Sequence, residues 1–137
     1  MKALEEVSDP VTRQLLVRYF HLVNAGNVDD LLELFAEDAL IAPSSGGVCQ
    51  GRSSIGEYFR STLGRFAEHH DEPRRVHVAA TAIVVELHFE GHLRDGPRLS
   101  FDALDVFEFG GGLIDRIGLW ADTAGINRQA RQDRSSP

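Results

Sequence analysis

In the stretch RLSFDALDVFEF (98–109) a carboxylate interrupts a row of apolar residues. With the period of two that a strand imposes, Phe101, Ala103, Asp105, Phe107 and Phe109 share one face. If that face is interior, desolvation disfavours the charged form of Asp105 and raises its pKa. A carboxylic acid held neutral donates a hydrogen bond, and a poised carboxylate takes a proton. Asp105 is therefore the first candidate for acid–base chemistry. The competing reading is a twist or bulge that turns it to solvent or to a backbone N–H. Tyr19 is the second candidate. It lies on the apolar stripe of SDPVTRQLLVRYFHLVNAG with Val11, Leu15 and Val23, beside Leu16 and Phe20. A buried phenol needs a partner for its hydroxyl; ordinary core filling is the plainer alternative. Trp120, in IGLWAD, is expected to line an interior, as core or as pocket wall.

Other polar clusters carry weaker signals. EHHDEP (68–73) reads as a solvated helix end and loop before Pro73, because adjacent residues do not converge on one metal ion. Glu86, His88, Glu90 and His92 alternate along one strand face, opposite Val85, Leu87 and Phe89. That alternation can build a metal site, but it reads first as the solvent or partner side of a sheet. Cys49 is the single cysteine, with no disulfide framework, no CxxC and no base evident beside it. The chain has no P-loop, dinucleotide fingerprint or GxSxG. These residues call for no metal and no cofactor.

The elements that must position the candidates follow from periodicity and punctuation. Ser8 or Asp9 can cap a first helix, Pro10 suits its first turn and Gly26 stops it. NVDDLLELFAED reads as a second, shorter helix, with Asn27 as its cap, and ALIAP as a short strand ended by Pro43. SSIGEYFRSTLGRFAEHH reads as a third helix with Ser54 and Glu57 at capping-box spacing. After Pro73 the pattern becomes β, with strands expected near 75–81, 83–92, 98–109 and 113–121. RDGP (94–97) and GGG (110–112) supply the hairpin turns. The polar residues after Ile126 are expected to fray.

The chain has 137 residues, 42% apolar and 26% charged, which suits one domain with a sizeable core. Its formal net charge of −7 argues against the basic footprint of a nucleic-acid binder and against an anionic membrane surface. No apolar run has the length of a membrane span, and the start MKALEEVSDP lacks the h-region of a signal peptide. A reducing cytoplasm is the expected compartment.

At this point a family likeness enters. RYFHLVNAGNVDDLLELFAEDALIAP resembles the opening of the ketosteroid isomerase and SnoaL-like polyketide cyclase group of the NTF2-like superfamily. The shared elements are a helix with an R-Y pair, N-A-G, a short helix ending L-F-A-x-D-A, and a strand. GRSSIGEYF and DALDVFEFGGGLIDRIGLW also fit, so the likeness covers nearly all of residues 10–121. It implies an α+β fold, the NTF2-like conical barrel, with three N-terminal helices packed on a strongly curved, mostly antiparallel sheet around a deep apolar pocket. It implies one domain over 1–126 and a polar, disordered tail over 127–137.

The resemblance also assigns roles. Tyr19 and Asp105 match an oxyanion-hole pair whose strand acid is kept neutral, an arrangement for which ketosteroid isomerase is the worked example. Ala42, Phe59, Val85, Leu87, Phe107 and Trp120 are expected to line the substrate pocket. Ala42, before Pro43, stands where the family carries its general base, and Glu37 and Asp38 belong to the preceding junction and do not replace it. The function implied is isomerisation or aldol-type cyclisation of a hydrophobic carbonyl compound by Tyr19 and Asp105. The alternative, motivated by Ala42, is a non-catalytic protein that binds a hydrophobic small molecule. An epoxide hydrolase or dehydratase ranks lower, because epoxide opening needs both an acid and a base and only one interior carboxyl is evident. Leu104 and Val106, on the outward face, suggest a homodimer through the outer side of the sheet.

Overall fold

The structure, a computed structural model, describes residues 1–132. A 3-10 helix (Lys2–Glu6) precedes α1 (Pro10–Ala25), whose N-terminus is capped by Asp9. Asp9 Oδ2 accepts from the Thr12 amide at 3.0 Å and the Thr12 hydroxyl at 2.6 Å, which satisfies a donor the helix itself leaves orphaned. Gly26, at φ 69°, ends α1 in the left-handed conformation that a side chain rarely adopts. The helix buries Leu16, Tyr19, Phe20, Leu22 and Val23, while Val11 stays exposed. A short α2 (Val28–Leu32) is capped by Asn27, as expected, and α3 spans Arg52–Gly64. The expected capping box at Ser54 is absent: α3 begins two residues earlier, after Gly51, with no side-chain cap.

Six strands form one sheet: β1 (Phe35–Pro43), β2 (Cys49–Gln50), β3 (Phe66–Val78), β4 (Ile83–Leu93), β5 (Arg98–Gly110) and β6 (Leu113–Ala121). Their order is β2-β1-β6-β5-β4-β3. All neighbours are antiparallel except β1 and β6. The architecture is thus the expected α+β, with helices on a curved, mostly antiparallel sheet.

Three expectations fail at element boundaries. The second helix stops at Leu32, and LFAED crosses into β1, where Phe35 pairs with Ile114. Leu31, Leu34 and Phe35 suit a helical stripe, but burying Phe35 against the sheet wins. The third helix stops at Gly64, and FAEHHDEP belongs to β3 instead of a helix end and loop. β3 is an edge strand, where polar residues and Pro73 are tolerated, so its apolar signal is thin. Finally, the expected frayed tail from 127 is helical to Gln132: α4 (Thr123–Gln132) packs on β5. Gln129 holds it there, Nε2 donating to the Ser100 carbonyl and Oε1 accepting from the Ser100 amide, at 3.0 and 2.9 Å. Residues 133–137 of that expected tail lie outside the described residues.

An aromatic cluster joins α1 to the sheet. Tyr19 meets Phe20 and Phe107 edge-on, with ring centroids 5.0 and 5.1 Å apart, and Phe107 stacks on Phe109 at 6.0 Å. Phe107 is fully buried within this cluster. Truncating such a ring leaves a void that its neighbours fill only in part. Phe107→Ala is expected to lower stability by about 3–5 kcal/mol, measured by urea unfolding. A loss below ~1 kcal/mol would show that the cluster collapses around the gap.

Candidate active site

The inner face of the sheet and the helices enclose a cavity of about 340 Å³, within the ~300–1,000 Å³ range usual for small-molecule sites. Its walls are mainly apolar: Phe59 from α3, Leu87 and Phe89 from β4, Phe101 and Ala103 from β5, Leu119 from β6, and Ile126 and Ala130 from α4. Four acidic or phenolic groups point into this setting: Tyr19, Tyr58, Asp71 and Asp105.

Strand register explains how they arrive. Directly paired residues share a face of a sheet. Asp105 pairs with Leu119 and with Val85, and Leu119 pairs with Pro43, so all four look inward. Asp71 pairs with Phe89, which pairs with Phe101, and this second row also looks inward. Sheet curvature brings the edge-strand carboxyl toward the central one. The backbone of Asp71 is tied to α1 by Asn24, whose Nδ2 donates to the Asp71 carbonyl and whose Oδ1 accepts from the Asp71 amide, at 3.0 and 2.8 Å.

The electrostatics separate the two acids. Asp105 is 5% exposed, and burial pushes its carboxyl well above the usual range, with the charge of Asp71 adding to the shift. Burial also raises Asp71, to about 6, with His70 opposing. Asp71 therefore loses its proton first, and its charge keeps the proton on Asp105. Burial thus favours the protonated form of both carboxyls, and the charge of Asp71 acts further on Asp105. Burial raises Tyr19 well above its ordinary value, and Asp105 and Asp71 add to this, so the phenol stays a donor. Tyr58 is raised mainly by burial, against a lowering hydrogen bond to Thr62.

The residues singled out by sequence divide into groups. Tyr19, Asp105, Phe59 and Leu87 line the cavity. Val85 and Phe107 are fully buried and belong to the core around it. Ala42 does not face the cavity. It pairs with Gly118 on the outer side, while Pro43 pairs with Leu119 on the inner side. Pro43 and Ser44 line the cavity in its place, so the expected position of Ala42 is corrected by one step of strand alternation. Trp120 also lines the cavity. It is paired with Leu104 and is 54% exposed, so part of its surface also faces solvent.

Asp71 is the site residue that the sequence reading missed. The signal was alternation around Pro73: His69, Asp71 and Pro73 share a face once the segment is read as extended, which the residue before a proline favours. The outer face carries a different polar array. His88 lies 2.8 Å from Asp102 and 3.1 Å from the Ser100 hydroxyl, the alignment of a hydrolase relay. It stands on an open sheet face, and the Ser100 amide, which an oxyanion would need, is donated to Gln129. It reads as a cross-strand ladder. Among the described residues no group of three or more His, Cys, Asp or Glu side chains gathers to hold a metal ion.

The acids also set a stability slope. Aspartate in an unfolded chain titrates near ~3.9, against about 6 for folded Asp71. The folded state binds more protons between these values. Its stability is full below the unfolded pKa and falls as pH rises through the folded one. Asp105, raised further, continues the decline at higher pH. The urea midpoint of the native chain is expected to fall as pH rises from about 4 to about 7, and Asp71→Asn to flatten the lower part. A flat native profile would show that neither carboxyl is desolvated.

Comparison with known proteins places the fold. No protein of curated function matches the chain by sequence. A protein of Catenulispora acidiphila with a ketosteroid isomerase-like fold, solved with trimethylamine, aligns at TM-score 0.78 and 17% identity, over 85% of this chain and 91% of that one. The epoxide hydrolase/cyclase-like enzyme SalBIII, described for pyran ring formation in the polyether salinomycin, aligns at TM-score 0.73 and 29% identity, over 82% and 91%. An LEH-like epoxide hydrolase of M. tuberculosis aligns at TM-score 0.73 and 14% identity, over 87% and 88%. Among the described residues no helix is long and apolar enough to cross a membrane. The model of the SnoaL-like domain matches residues 16–117, and the chain belongs to that family.

Proposed function

We propose that this protein is an acid–base enzyme that opens an epoxide in an apolar substrate, by attack of a hydroxyl of the same molecule or of water. The observation that carries the reading is the carboxyl pair: Asp71 and Asp105, on different strands, line one apolar cavity, both raised by burial, Asp71 to about 6. Epoxide opening needs a proton for the departing oxygen and a base for the attacking hydroxyl at the same moment. The Asp105 proton passes to the epoxide oxygen as its C–O bond breaks. Asp71 takes the proton from the attacking O–H as the new C–O bond forms. The cycle leaves Asp105 ionised and Asp71 protonated, and one proton moved between them restores the start. Tyr19 and Tyr58 stay protonated and donate to the developing oxyanion. The printed role of SalBIII, an epoxide hydrolase/cyclase-like enzyme acting in pyran ring formation, supports the same chemical class.

A second reading uses the same groups on a carbonyl compound. Tyr19 and Asp105 would hold the carbonyl oxygen, and Asp71 would remove the adjacent proton, giving isomerisation or aldol-type cyclisation. It is favoured by Tyr19 and Asp105 lining one cavity as two protonated donors. Asp71 supplies the base that Ala42 lacks, which weakens the case for a binding protein without chemistry.

The test is a long-chain epoxy alcohol whose own hydroxyl reaches the epoxide, with cyclic ether and diol separated by mass spectrometry. Turnover is expected to rise with pH through about 6 as Asp71 ionises and to fall again as Asp105 loses its proton. Asp71→Asn and Asp105→Asn are each expected to cut kcat by ~10²–10⁴-fold, the first abolishing the rising limb. Full turnover in both variants would overturn the assignment. Product from a ketone probe, with none from the epoxide, would select the second reading.

A further inference from the structure

We infer that Asn24 is the positioning residue for Asp71, holding the backbone of that residue so that its carboxyl is presented to the cavity. The inference rests on the reading of Asp71 as the general base. β3 is the edge of the sheet, so one side of its backbone has no strand partner. At Asp71 that side is completed by a side chain 47 residues away in sequence: the planar amide of Asn24 gives a donor to the carbonyl and an acceptor to the amide. It replaces the peptide group of a missing neighbouring strand.

Several features mark this as more than packing. The two bonds converge on the residue that carries the second carboxyl, on a strand whose register shifts at both ends of the Glu68–Pro73 segment. Such shifts locally disrupt the ladder, which leaves the segment between them in need of an outside anchor. Asn24 also sits on α1, five residues beyond Tyr19. One helix therefore fixes both a phenol donor and the backbone of the base. Only a carboxamide does this from that position. Aspartate keeps the acceptor and loses the donor, leucine loses both, and glutamine displaces both by a methylene.

The groups facing Asp71 set what should change when the clamp is removed. Asp105 from β5, Tyr19 from α1, Tyr58 from α3 and Arg65 surround the same cavity, and His70 is the neighbour on β3 that lowers the Asp71 pKa. In Asn24→Ala the strand edge is free to lift, and the carboxyl reaches water. The expected result is a kcat about 10- to 100-fold lower on the epoxy alcohol with KM little changed. The aspartate carboxyl resonances in carbon-13 NMR, assigned with Asp71→Asn, should show Asp71 titrating at least one pH unit lower. Asn24→Leu, which loses both bonds at similar volume, should lower the titration likewise. A folded Asn24→Ala protein whose Asp71 titration is unchanged would overturn the inference, and if that variant does not fold, an unchanged titration in Asn24→Leu would do so. The titration needs no substrate, so it separates failure of the clamp from failure of the proposed reaction, which full turnover in Asp71→Asn would reveal.

Discussion

Removing water from Asp105 is the constraint on which the rest of the structure depends. A carboxyl in the middle of a curved sheet, among Val85, Phe107 and Leu119, cannot carry charge without a solvating partner. Burial raises its pKa well above the usual carboxylate range, and the charge of Asp71 adds to the shift. Everything that keeps it dry also shapes the cavity. The aromatic cluster of Tyr19, Phe20 and Phe107 closes one side, and α4, held to Ser100 by Gln129, contributes Ile126 and Ala130 to the walls.

A second acid in the same dry space would be unstable if both had to ionise. The sheet resolves this by placing Asp71 on an edge strand and Asp105 on a central one. Asp71 ionises at a pH near neutrality, and its charge holds the proton on Asp105. Burial and the charge of one neighbour thus set two identical side chains apart in acidity. The proposed epoxide opening and the alternative enolisation both draw on that difference in acidity.

The absence of a carboxylate at Ala42 has a different meaning once the strand faces are known. Ala42 looks outward and Pro43 inward, so this strand presents a proline ring and a serine to the cavity. The second carboxyl of the cavity, Asp71, comes from two strands beyond Asp105, on a segment of opposite direction to its neighbour β4.

The sequence by itself determined what local periodicity and composition encode. The inward row of β5, the caps Asp9 and Asn27, the glycine stop at Gly26 and the α+β order were all legible, because each depends on neighbours a few residues away. The boundaries at Leu32 and Gly64 were not legible. There helical and extended patterns coincide, and burial of Phe35 and Phe66 on the sheet decides between them. Tertiary structure alone decided that Asp71 belongs to the site. Its strand is polar, interrupted by proline and stable only through β4 on one side and Asn24 on the other. Its raised pKa likewise arises from burial by residues distant in the chain, and no local pattern of side chains carries that information.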